Sequence, residues 1–375
     1  MNKKIKSLVL AAVMGLSLTT VAVVPTTVEA ASAGAAQTLI GGAVAYAYVS
    51  TAFNKMDNSK EGQEQSLARA KKQTGYLEDS AAQARVQRIM KTLEASPSVK
   101  RSYVVYANPS DDFNAFATVG RVMSVNKGAL DLLDDDELAY VMAHEISHGE
   151  HKDIVNGLKK QVGLSTAVSL AAGGNAAILS NIAGNYMENQ VFTMGQEKAA
   201  DELGFKILSE SPYNVGGAAA SMAVLRNKYG DLYREGLNQV FSPNNHPKTS
   251  SRVKDNIDRM YTYSGNHVLV DNGAVFVNGV NIYSPANSGR YTGEERAYFM
   301  AGKLARLYHN GQIQPGGASY DGPTVTVAGR SIVTTPNADV ALMVATNLNN
   351  SFVKAAGPAK GKQAAKTNKK KASKK

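Results

Sequence analysis

Asp134-Asp135-Asp136-Glu137-Leu138-Ala139-Tyr140-Val141-Met142-Ala143-His144-Glu145-Ile146-Ser147-His148 is the stretch on which the fold turns. Its acidic start suits a helix N-terminus, where carboxylates meet exposed amides and the positive end of the dipole. Leu138, Val141, Met142 and Ile146 then recur at helical spacing and make an apolar stripe. On such a helix His144 and His148 lie one turn apart on one face, so two imidazoles converge on a single ion. Glu145 stands beside the pair. There a carboxylate can take a proton from a water polarised by the ion and later pass it to a leaving amine. Half of the chain's six histidines fall within residues 144–151, which concentrates the ligand supply at this place.

Zinc asks for a third protein ligand and an open fourth position. A further histidine on the long metzincin spacing would fall on Ile154, which excludes that class. His151 lies two turns from His144 if the helix persists past Gly149, and it reads as a solvated surface residue. Glu197, in Glu197-Lys198-Ala199-Ala200-Asp201-Glu202-Leu203-Gly204, is the better candidate. Asp201 shares its helix face and is placed to accept the second N–H of a liganding imidazole. Ala200 and Gly204 form a small pair that admits a neighbouring helix. Glycine inside a helix costs roughly 1 kcal/mol relative to alanine, so Gly204 is expected to have a packing purpose. By itself this segment reads equally well as a charged helix surface.

Outward from these two segments the 375-residue chain, 43% hydrophobic and 19% charged, has the composition of a globular protein. It has no cysteine, which excludes disulfides and thiolate metal sites. Its net charge of +10 sits at the ends: Lys3, Lys4 and Lys6 at the start, and nine lysines without an acid from Lys354 to Lys375. The body between is close to neutral, so the charge does not mark a nucleic-acid surface. The basic start, the apolar run Leu8–Val24 and Val28-Glu29-Ala30 read as a signal peptide over 1–30. Residues 31–60 open with an apolar segment expected to dock as a helix, with peripheral membrane association left open.

Apolar spacing predicts helix from Lys60 to Leu93 and strands at Tyr103–Ala107 and Arg121–Val125. Residues 158–192, small and apolar with a Gly173-Gly174-Asn175 break, read as a helical hairpin or plug. Helices are expected near Gln196–Leu208 and Ala218–Tyr229. Asp271-Asn272-Gly273 and Asn278-Gly279 predict hairpins over 267–283. Helices near Thr292–Tyr308 and Ala338–Phe352, and strands near Thr324–Val333, complete a C-terminal module. No internal repeat is evident.

Four motifs stand in order: Asn114-Ala115-Phe116-Ala117; Asp136-Glu137-Leu138-Ala139 running into His144-Glu145-Ile146-Ser147-His148; Glu197-Lys198-Ala199-Ala200-Asp201; and His246-Pro247 with Arg252. With them the stretch from about Tyr103 to Arg252 resembles the M48 family of zinc metallopeptidases, whose bacterial secreted members work in envelope protein quality control. The resemblance implies one Zn2+ per chain, held by His144, His148 and Glu197, with Glu145 as general base. It implies Asp201 as the carboxylate behind the ligands and Arg252 as an arginine supporting this region. His246 would be a catalytic histidine near the metal that blocks the resting site or stabilises the oxyanion. Asn114, Ala115, Phe116 and Ala117 would bind substrate as an added strand.

The expected fold is α+β and zincin-like, mostly helical with a small sheet. The expected domains are the signal peptide (1–30), the apolar N-terminal segment (31–60), a zinc metallopeptidase domain (61–263), a small α+β module for which the resemblance offers no role (266–353), and a disordered Lys-rich tail (354–375). The expected function is zinc-dependent cleavage of unfolded or misassembled envelope or secreted proteins, after export to the periplasm or the medium. The alternative is a zinc-containing, chaperone-like binding protein without turnover. Expected partners are unfolded or misfolded proteins and, through the tail, an anionic surface, with no specific nucleic acid.

Overall fold

The computed structural model describes residues 46–161, 192–231 and 248–357. The readings at 1–30, at most of the plug segment, at His246 and at the tail from 358 onward lie outside them. Helices α1 (46–58), α2 (Lys60–Thr74) and α3 (Ser80–Glu94) come first. The helical spacing over 60–93 is therefore two helices. Gly75 stops α2 at φ 83°, a conformation that glycine adopts without a Cβ penalty. Asp79 then starts α3 by accepting from the Ala81 and Ala82 amides.

Strands β1 (Val104–Asn108), β2 (Ala115–Thr118) and β3 (Val122–Asn126) make a sheet in the order β1-β3-β2, with β1 parallel and β2 antiparallel to β3. The first and third begin one residue later than the sequence pattern suggests. In β2 all four residues are buried, so the segment shows no alternation from which a strand could be read. It forms one edge of the sheet.

After α4 (Lys127–Leu132) the central helix α5 runs over Asp135–Glu150. Asp134 accepts from the Glu137 amide at 2.9 Å and the Glu137 carboxylate accepts from the Asp134 amide at 2.8 Å, a reciprocal cap. From Leu138 to Gly149 every residue but Val141 is buried. The expected stripe is thus a helix enclosed on all sides, which pins its histidines. Lys152, at φ 58°, turns the chain into α6 (Asp153–Gln161). Helices α7 (Met194–Ser209) and α8 (Gly217–Tyr229) pack on α5, and α9 (Thr249–Tyr263) packs on α8. A Cβ at Gly204 of α7 would stand 3.1 Å from the Cα and N of His144, so the glycine lets the two helices close to backbone contact.

The C-terminal region holds β4 (Val268–Asp271), β5 (Ala274–Val277) and β6 (Val280–Tyr283), followed by α10 (Gly293–His309). It continues with β7 (Ala318–Asp321), β8 (Thr324–Val327) and β9 (Arg330–Thr334), followed by α11 (Ala338–Phe352). These are two copies of one unit, contrary to the expectation of no repeat. Each is a three-stranded antiparallel meander with a register shift in its second strand, at Val275/Phe276 and at Val325/Thr326. Asp271, Val275, Val277, Gly279 and Ile282 correspond to Asp321, Val325, Val327, Gly329 and Ile332. The turn pairs Asn278-Gly279 and Ala328-Gly329 both have positive φ. One apolar core runs from Ile89 and Met142 through Ala218 and Tyr298 to Val325 and Leu348, so the two units share it with the helices around the histidines. The architecture is α+β, as the sequence indicated.

Candidate active site

His144 and His148 leave α5 one turn apart, and Glu197 faces them from the first turn of α7. The two Nε2 atoms are 3.2 Å apart, and the Glu197 oxygens lie 3.5 Å from each of them. These three ligand atoms form the cluster of metal-binding type found among the described residues, and all three side chains are buried. Glu197 reaches this place because Thr193 caps α7 by accepting from the Gln196 amide, with Gln196 reciprocating.

Carboxylates behind the rings fix their tautomers. His144 Nδ1 is 2.9 Å from Asp201 Oδ1, and His148 Nδ1 is 2.9 Å from Asp153 Oδ2. A proton on each Nδ1 satisfies those contacts and leaves both Nε2 lone pairs facing each other and the Glu197 carboxylate. Three electron-pair donors with no positive group between them call for a cation. Tetrahedral zinc with ligands at about 2.0–2.1 Å would set them roughly 3.3 Å apart, so the residues present fit that ion. The negative surroundings likewise favour positive charge at this place. Burial opposes charging of His148, but Asp153 and Glu197 together raise its pKa to about 10. His144 is also raised: Asp201 and Glu197 outweigh its burial.

Asp201 is a hub. Burial would raise it, yet Arg252 and His144 hold it well below the usual carboxylate range. Arg252 donates to it through Nε at 3.0 Å and Nη2 at 2.6 Å. The Tyr140 hydroxyl donates to it at 3.0 Å and accepts from Asn256 Nδ2 at 3.1 Å. Glu145 projects beside the ligand cluster and accepts the Ala117 amide of β2 at 3.0 Å. Its pKa is raised, chiefly by burial. An apolar pocket lined by Phe113, Ala115, Val141, Met222 and Leu225 adjoins His144 and Glu145.

The structure therefore gathers His144, Glu145, His148, Glu197, Asp201 and Arg252, while His246 lies outside the described residues. Within Asn114–Ala117 the residues divide. Phe116 packs away from the ligands against Ala70, Tyr106 and Val122. Phe116 pairs with Ser124 across the sheet, and the Asn114 carbonyl accepts the Asn126 amide. The main-chain groups of Ala115 and Ala117 therefore line the open edge. His151 is exposed at the C-cap of α5.

The sequence reading missed Asp153, Tyr140, Asn256 and Phe192. Asp153, buried and held by Gln196 Nε2 at 2.8 Å, orients His148. Phe192 stacks on the His148 ring with centroids 3.8 Å apart. An acid just past the end of a two-histidine helix is the signal that would have exposed Asp153.

Residues 77–259 match the family model described as peptidase family M48. The putative beta-barrel assembly-enhancing protease of Vibrio cholerae is 26% identical over 178 residues, covering 44% of this chain and 36% of that protein. Metalloprotease LoiP of Escherichia coli is 26% identical over 166 residues, covering 42% of this chain and 62% of that protein. A protease HtpX homolog of Salinibacter ruber is 32% identical over 133 residues, covering 30% of this chain and 47% of that protein. The matched stretch spans less than two thirds of each of these relatives.

Proposed function

We propose, from the match of residues 77–259 to peptidase family M48, that the chain is a zinc-dependent endopeptidase of unfolded or misassembled envelope proteins. The observation that carries the reading is the closed triangle of His144, His148 and Glu197 with Glu145 beside it. Zinc held by that triangle would supply Lewis-acid polarisation and a water acidified toward neutral pH. Asp201 and Asp153 hold the two imidazoles by Nδ1, so that their Nε2 atoms would be the ones to hold the ion. Arg252 and Tyr140 keep Asp201 in place and ionised. An extended peptide would add to the open edge of β2 through the main chain of Ala115 and Ala117. A side chain of that peptide would enter the apolar pocket beside Val141 and Met222. Glu145 accepts a proton as water attacks the scissile carbonyl and delivers it to the departing amide nitrogen. Burial raises its pKa above the usual carboxylate value, which favours proton acceptance by this side chain.

The relatives named as beta-barrel assembly-enhancing proteases support an envelope protein as substrate, and the basic, apolar start of the chain supports export. Glu145→Gln should retain zinc and lose roughly 10²–10⁴-fold in cleavage of casein. Undiminished cleavage by pure Glu145→Gln protein would remove the peptidase reading. It would leave a zinc-containing binding protein, which has no use for the proton acceptor.

A further inference from the structure

The two C-terminal units differ most in the connection between meander and helix. In the second unit only Thr335-Pro336 separates β9 from the cap of α11 at Asn337. In the first, residues 284–291 intervene before the cap of α10 at Thr292. This longer connection is built. Ser288 and Tyr291 exchange main-chain hydrogen bonds at 3.0 and 3.1 Å, and the Arg290 guanidinium lies 4.2 Å over the Tyr291 ring. Its tip reaches the start of the active-site helix. Arg290 donates to the Leu132 carbonyl at 2.5 Å and to Glu137 Oε2 at 2.6 Å, and the Tyr291 hydroxyl donates to Asp134 Oδ2 at 2.8 Å.

Glu137 is the residue through which this grip acts. Its side chain is fully buried, and one oxygen serves both the Asp134 amide and Arg290. The other, Oε1, has no hydrogen-bond partner among the described residues. A buried carboxylate so placed is tolerated through its cation, and removal of the cation leaves a charge that must move, hydrate or take up a proton. Glu137 sits in the first turn of α5, about two turns before His144 on the same rigid rod. The other side of that turn is held independently, by Arg85 and Arg88 of α3 on Asp135 and by the Asn214 amide on Asp136. A shift of Glu137 would therefore rotate the turn about fixed neighbours.

We infer that the 284–291 connection is a positioning element of the catalytic machinery, with Arg290 acting through Glu137 to set the attitude of the helix that carries His144, Glu145 and His148. The C-terminal repeat thereby has a task at the active site although none of its side chains touches the ligand cluster. The assignment rests on the peptidase reading for its turnover readout, so a second readout uses metal alone.

The test compares full-length wild type, Arg290→Ala, Glu137→Gln and the double variant. Cobalt affinity is read from visible absorption, casein turnover gives kcat and KM, and circular dichroism monitors the fold. Arg290→Ala should bind cobalt and turn over casein roughly tenfold or more worse, with KM unchanged. The double variant, which has no buried charge to compensate, should return to the Glu137→Gln level in both. Wild-type behaviour of Arg290→Ala, or a double variant as impaired as the single one, overturns the inference. If Arg290→Ala does not fold, a folded, cobalt-binding double variant supports it and an unfolded one overturns it. If wild type binds cobalt and cleaves nothing, the peptidase reading falls while the cobalt comparison still decides the role of Arg290.

Discussion

Asp153 offers the sharpest quantitative test of the metal centre, because it touches only the back of one ligand. Its carboxylate holds His148 Nδ1 at 2.9 Å and is itself held by Gln196 at 2.8 Å. It is 6% exposed, so bulk water cannot replace it freely. Partners of this kind fix the ring and raise its basicity, and their loss costs about 10–100-fold in metal affinity, or ~1.4–2.7 kcal/mol. Asp153→Asn keeps an acceptor and gives up the charge, so it should fall at the lower end. Asp153→Ala leaves the imidazole N–H and the Gln196 amide without their acceptor, so it should fall at the upper end. Competition for zinc against a chromophoric chelator at neutral pH measures both, with circular dichroism to confirm folding. Wild-type affinity in a folded Asp153→Ala protein would refute the reasoning and reduce Asp153 to a tie between α6 and α7.

Ala328 sits at φ 50° in the turn where the first unit has Asn278 at φ 51°, and a non-glycine residue there carries strain. Ala328→Asn should stabilise the chain by about 1 kcal/mol and raise the thermal midpoint; a lower midpoint would show that the strain is already relieved. Glu137 supplies a pH dependence. Burial first, then Asp134, raise its pKa from 4.5 to about 7, against the pull of Arg290. A carboxyl raised on folding stabilises fully below its unfolded value and loses that contribution as pH rises through 4.5 to 7. Glu137→Gln should therefore be more stable than wild type in denaturant melts at pH 8, with the advantage gone near pH 4; an advantage independent of pH would contradict the assignment.

The parts legible in the sequence were those fixed by local periodicity and chemistry. Asp134 and Glu137 announce a cap three residues apart, and His144 and His148 announce one helical face. Gly204 in an otherwise good helix announced a close approach, and the His144 backbone is what it meets. Other features depend on context that local patterns do not carry. Ala115–Thr118 is buried on both faces, so its strand has no alternation. Asp153 follows the left-handed turn at Lys152, which redirects the chain after the helical phase has ended. The C-terminal repeat was hidden because its two copies share turn and core positions while the half-buried residues between them have diverged, as at Phe276 and Thr326.

The hydrogen bond from the Ala117 amide to Glu145 ties two events together. That amide faces the open edge of β2, where an incoming peptide would seek a donor. A backbone that docks there competes for the same proton donor, and the carboxylate loses its tether as the peptide gains a partner. On the proposed mechanism, docking and unmasking of the base would then be one exchange: an empty cleft would keep its proton acceptor occupied, and water would meet a free carboxylate when a peptide is in place.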